Sequence, residues 1–243
     1  MAQQERAART YRALLEAAAE VFARRGYAAA TISEIMSVAG VTKGALYFHF
    51  SGKEALAHAV LRQAVALKPE HRLTMQAMVD LGLVLAYRLP REPLLRGAAR
   101  LAADQSARPF FGGPWPQWRD TIAALLSEGR RRGEVFEHVD PVETAHVLVG
   151  AFTGLQLVST AGGDPGGLLV LTSDLYRLVL PGIAVPGVLG VVRTEPERAR
   201  RVFETLGRPT WAVAHAGNAK TGNAAVGNVE AGLAAADAPA LSG

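Results

Sequence analysis

The chain has 243 residues, 49% hydrophobic and 20% charged, enough apolar material for a core in one or two domains and too much for an intrinsically disordered chain. It contains no cysteine, which rules out disulfides, thiolate metal sites and cysteine redox sensing. A net charge of +4 and a pI near 9.7 fit a nucleic-acid partner without identifying one.

The segment Met1 to Arg6 is polar, so no secretory leader is expected and a cytoplasmic location is. Tyr11, Leu14, Leu15, Ala18, Val21 and Phe22 then recur at helical spacing and predict a first helix that stops near Gly26. Thr31 opens a second, short helix in which Glu34 should reach back to complete a capping box, with Ile32, Ile35, Met36 and Ala39 facing the first helix. Gly40 permits a tight turn, Val41 anchors it, and Thr42 begins a third short helix whose free amides suit an anion. In that helix Gly44 and Ala45 are small enough for close approach to DNA, and Lys43 supplies the reach. Phe48 and Phe50 are expected in the small core. Residues 1 to 53 carry seven Lys or Arg against four Glu, so +3 of the net charge lies with this motif.

Ser51-Gly52-Lys53-Glu54 predicts the start of a connecting helix bearing Leu56, Val60, Leu61 and Ala64, ended or broken at Pro69. From there the pattern is helix after helix with no strand alternation: about 73–89, 94–105, 117–132, 141–161 and 168–179, then a short helix after Pro186 and another near 195–206. Ala145 to Gly163 lacks Asp, Glu, Lys and Arg and nears membrane-spanning length, but its polar residues and glycines favour a packed helix over a span. After Gly207 large apolar residues thin out, and about 210–243 is expected to be a tail, with a final helix over 229–236 as the alternative.

These blocks resemble the DNA-binding domain of the tetracycline-repressor (TetR) family, on Thr31-Ile32-Ser33-Glu34-Ile35, Ala39-Gly40-Val41, Gly44 through Phe50, and Lys53-Glu54. The wording Val41 through Phe50 is similar to the branch of gamma-butyrolactone autoregulator receptors of actinomycetes, and a looser likeness extends to about residue 206. The resemblance implies an all-α fold: a three-helix helix-turn-helix head over 1–52, a helical ligand-binding and dimerisation body over 53–206, and an unexplained tail over 207–243. It implies that Thr42, Lys43, Gly44, Tyr47 and His49 line the DNA surface, and that Thr31, Ser33 and Lys53 meet phosphates. Lys43 is also the best candidate on its own chemistry.

One such head makes few base contacts, so a homodimer reading a palindromic operator is expected, with recognition helices about 34–36 Å apart. The apolar helices 141–161 and 168–179 are where the family resemblance implies dimerisation; filling the monomer core is the alternative. The aromatic loop Phe110 to Trp118 is expected to roof a pocket, and the resemblance marks Trp118 as a ligand residue. Leu81, Leu85, Leu101, Phe152 and Leu155 are candidate walls, with Gln105, Thr121, Gln156, Ser159 and Thr160 as candidate polar groups. The implied ligand is a butyrolactone, butenolide, furan or antibiotic-like molecule, the high pI leaning toward the pseudo-receptors that answer to antibiotics.

No catalytic motif, metal-ligand constellation or cofactor-binding loop is present, so no enzyme, metal or cofactor is expected. The expected function is a ligand-released repressor. A ligand-independent DNA-binding regulator and, further off, an enzyme acting on a small lactone are the alternatives.

Overall fold

The computed structural model describes residues 2–64, 71–104, 115–164 and 166–206. Pro69, Gln105, the loop through Pro114 and the tail after residue 206 lie outside the described residues. Among those residues the fold is all-α, and the one β pairing is an isolated antiparallel bridge between Val135 and Ala184.

The head holds α1 (Ala2–Ala29), α2 (Ile32–Ala39) and α3 (Lys43–His49), and α4 (Lys53–Ala64) leaves it. The helix of α1 breaks at Gly26, whose φ of 71° and ψ of 178° are non-helical, as the sequence predicts. Leu14, Leu15, Ala18, Val21 and Phe22 are buried along one stripe.

The body begins with α5 (Thr74–Arg88), which is buried on nearly every side. Around it stand α6 (Pro93–Ala103), α7 (Trp115–Arg131), α8 (Pro141–Ala161) and α9 (Gly167–Val179). A 3-10 turn at Leu180–Gly182 leads to α10 (Pro186–Leu189) and α11 (Glu197–Leu206). The expected helices of the body, from about residue 73 to 206, are present among the described residues, with ends shifted by no more than two residues.

Polar groups buried with α5 are matched. The Glu134 carboxylate accepts from Met75 N–H at 3.0 Å, supplying the cap that Leu73 lacks at the start of α5. Arg198 grips Asp80 with two hydrogen bonds of 2.5 and 2.9 Å, and Gln76 ties Asp80 to the backbone of Arg193.

Two hydrophobic clusters divide the interior. One joins the head to α6 through Leu94, Leu95, Ala98 and Leu101; the other joins α5 to α7, α8, α9 and the residues after them. On α6, Gly97 lies against α1, Leu94 and Leu101 pack within the head's cluster, and Leu95 and Ala98, in that cluster too, line a cavity together with Ala99 and Ala102. The helix backbones nearly touch where α6 crosses α1: a Cβ on Gly97 would stand 2.4 Å from Ala19 O.

By length and composition α8 is apolar enough to cross a membrane, yet only 17% of its most apolar window is buried within the protein. Val142, Val147, Leu157 and Val158 on α8, with Val170 and Leu178 on α9, stand in solvent.

Candidate nucleic-acid interface and ligand cavity

Local capping fixes the head. Thr31 Oγ1 accepts from Glu34 N–H at 3.1 Å and opens α2. The expected return bond from Glu34 does not form, because its carboxylate lies 3.4 Å from both Arg24 and Arg25. Two cations outbid one amide for that oxygen. Gly40 closes α2 in the left-handed region, φ 63°, and its N–H reaches Met36 O and Ser37 O. Thr42 Oγ1 then accepts from Ala45 N–H at 3.3 Å and starts α3.

Leu46 and Phe50, four residues apart, anchor α3 in the core, with Phe50 stacked 5.0 Å from the Tyr11 ring. The opposite face is open. Lys43, Gly44 and Tyr47 are exposed on it, and the Lys43 ammonium lies 5.9 Å from the Tyr47 ring. Phe48 is the correction here: expected in the core, it is 73% exposed, because the two core positions of this short helix are already filled. His49 is partly buried, edge-on to Tyr11 at 5.9 Å, and burial lowers its pKa below the usual 6.5.

Thr31 and Ser33 are exposed at the start of α2, beside this face, and Ala45 is half-buried behind Gly44. Lys53 is differently employed. Its ammonium donates to the carbonyls of Tyr27, Ala28 and Ala30 at 2.9, 3.4 and 3.0 Å and lies over the Tyr27 ring at 4.5 Å. All three of its hydrogens therefore have partners within the chain. Tyr27 N–H in turn donates to Asp104, just past α6, at 2.8 Å. The ends of α1 and α6 and the start of α4 thus meet at Tyr27.

Between the two hydrophobic clusters lies a cavity of about 80 Å³, room for several waters. Of the expected ligand residues it brings together Trp118, Leu81, Leu85, Phe152 and Gln156. Trp118 packs against both clusters. Leu101 is not in the wall; it is buried in the cluster that includes the head. Nor are Leu155, Thr121, Ser159 and Thr160: the three hydroxyls donate to Gln117 O, Asp164 O and Gln156 O. Gln105 lies outside the described residues.

Sequence reasoning missed the α6 wall, Leu95, Ala98, Ala99 and Ala102, and missed Thr153 and Tyr176. Helical spacing from Leu95 could have found the former; nothing local marks the latter. Among the described residues the wall holds no charged side chain. Among the described residues no group of three or more His, Asp or Glu could hold a metal ion.

Comparison with known proteins places this arrangement. The family model described as bacterial regulatory proteins, tetR family, matches residues 14–60. The A-factor receptor protein of Streptomyces griseus is 41% identical over 199 residues, 80% of this chain and 71% of that protein. The crystal structure of TylP, a TetR regulator from Streptomyces fradiae, superposes with a TM-score of 0.75 at 39% identity, covering 84% of this chain and 92% of that one. A gamma-butyrolactone receptor (ArpA-like protein) superposes with a TM-score of 0.61 at 30% identity, covering 82% and 99%.

Proposed function

The chain belongs to the tetR family of bacterial regulatory proteins, and on that premise we propose that it is a transcriptional repressor whose grip on DNA is released by a small molecule. The observation that carries this reading is the position of the cavity on the seam between the cluster that includes the head and the cluster that includes α8 and α9.

In this reading α3 enters the major groove. Gly44, Tyr47 and the exposed Phe48 face the bases, and Lys43, Thr31, Ser33, Thr42 and His49 lie toward the phosphates. Lys53 acts from inside, holding α4 on the end of α1. Two copies paired through the apolar faces of α8 and α9 present two heads to a palindromic operator, and the length and hydropathy of α8 are accounted for by that partner without a membrane. The ligand is an uncharged, largely apolar molecule of the butyrolactone, butenolide or furan kind, since a charged antibiotic would meet no counter-charge among the described residues of the wall. Entering at Trp118, it spreads the seam and pushes α6. Because α6 lies backbone to backbone on α1, the head moves with it, and the two heads lose the spacing the operator requires.

The test is a mobility-shift assay on the intergenic DNA upstream of the gene, with and without a synthetic gamma-butyrolactone. Retarded DNA that is freed by the lactone in the parent protein, and stays retarded in Trp118→Ala, is the expected result. DNA binding indifferent to every uncharged lactone, butenolide and furan would favour a constitutive regulator whose body only dimerises.

A further inference from the structure

Tyr176 is carried by α9, the helix whose outer side exposes Leu178, yet its ring is fully buried and reaches through the protein to the cavity wall. Its hydroxyl lies against α5 at Gly82, and there it needs the glycine: a Cβ at position 82 would stand 2.2 Å from that oxygen. The hydroxyl donates to Met78 O over a long 3.3 Å. Met78 and Gly82 are four apart inside α5, so the same carbonyl already accepts the Gly82 N–H of the helix ladder. The tyrosine bond is a second one, and giving it up would leave no carbonyl orphaned.

Among the described residues the other polar groups in the wall are the Trp118 indole N–H on a partly buried ring, Thr153, whose hydroxyl donates to Val149 O at 2.8 Å, and Gln156, which is also only partly buried. The deepest donor that can change partners at low cost is the Tyr176 hydroxyl.

We infer that Tyr176 determines ligand specificity by giving its hydroxyl hydrogen to an oxygen of the bound molecule, so that the cavity selects an uncharged ligand bearing a carbonyl among apolar walls. This rests on the cavity being the ligand site. Gly82 is the complementary half of the device, since it leaves room for the oxygen.

The test uses the full chain and two probes that differ only in the carbonyl: gamma-decalactone and 2-hexyltetrahydrofuran. Dissociation constants are measured by calorimetry for the parent and for Tyr176→Phe, which keeps the ring and removes the hydroxyl. The preference of the parent for the lactone over the ether should fall by about five- to tenfold in the variant, with ether affinity unchanged, as one neutral hydrogen bond implies. An unchanged preference overturns the inference and leaves the repressor reading intact. Binding of neither probe by the parent removes the cavity as the ligand site, and both readings with it.

A second measurement does not depend on how Tyr176→Phe folds. In a protein carrying both Gln156→Leu and Trp118→Phe, which lacks the other two uncommitted donors of the described wall, the carbonyl stretch of bound gamma-decalactone should still lie below its value in alkane. A stretch at the alkane position would mean that no donor reaches the carbonyl, and the assignment to Tyr176 would be wrong.

Discussion

Replacing Gly97 with alanine probes the joint between body and head. At an unconstrained position inside a helix this change stabilises by about 1 kcal/mol, because alanine loses less backbone freedom on folding. Here the new Cβ would stand 2.4 Å from Ala19 O and 2.7 Å from Ala19 Cα, backbone atoms that cannot rotate away. Restoring an ordinary separation of about 3.5 Å moves α6 and α1 apart by roughly 1 Å. Overpacking of that kind costs about 1–3 kcal/mol, so the net expectation is destabilisation of about 1 kcal/mol. The larger effect should fall on DNA, since displaced α1 carries α2 and α3 with it. Urea melts at fixed protein concentration and operator anisotropy titrations should show a lower midpoint and a several-fold weaker complex. A variant that is more stable than the parent and binds the operator equally well would refute the close apposition of these helices and its role in transmitting ligand binding.

Three other expectations follow from the same geometry. Lys43→Ala should weaken operator binding and reduce the slope of log affinity against log salt by about 2 for a dimer, one phosphate contact per head; an unchanged slope would place Lys43 away from phosphate. Gly150 of α8 has nothing within 4 Å of where its Cβ would be, so Gly150→Leu should be tolerated by a single chain but obstruct a close second helix. Analytical ultracentrifugation should then show a shift toward monomer, and an equally tight dimer would mean that α8 pairs by another face. Burial lowers the pKa of His49, and burial aided by Arg62 and opposed by Glu54 lowers that of His58. The folded head therefore binds protons less readily than the unfolded chain, and stability should hold above pH 7 and decline as pH falls through about 6.5 toward 5.5. A melting temperature flat across that interval, or one matched by His49→Gln and His58→Gln, would show that these rings are not the source.

How much of this was legible in the sequence differs from element to element. The bounds of α8 are as read from the sequence, because Asp140-Pro141 is a strong start and Gly162 a strong stop, and Asp140 does cap Val142 and Glu143. The head was legible for the same reason: each of its short helices is framed by a threonine hydroxyl or a glycine whose conformational need is local. Phe48 was misplaced by residue type, although the four-residue interval between Leu46 and Phe50 already put it on the outer face. Glu34 was misplaced because its competitors Arg24 and Arg25 sit on another helix. The cavity was read in part. Trp118, Leu81 and Phe152 are large and apolar and drew notice, whereas alanines 98, 99 and 102 signal nothing alone. Tyr176 touches Gly82 across 94 residues of chain, a meeting that only tertiary packing decides.

The meeting of three helix ends at Tyr27 bears on how such regulators are recombined. A boundary drawn at residue 52 looks natural in the sequence, but it separates Lys53 from the carbonyls of Tyr27, Ala28 and Ala30 that it holds, and Asp104 belongs to the same knot from far downstream. A foreign reading head grafted at that boundary would inherit the recipient's lysine and aspartate, and would be obeyed or ignored according to whether its own first helix ends with carbonyls and an amide in the same places. Chimeras built to report new ligands on new promoters are better judged by this knot than by the helix-turn-helix they transplant.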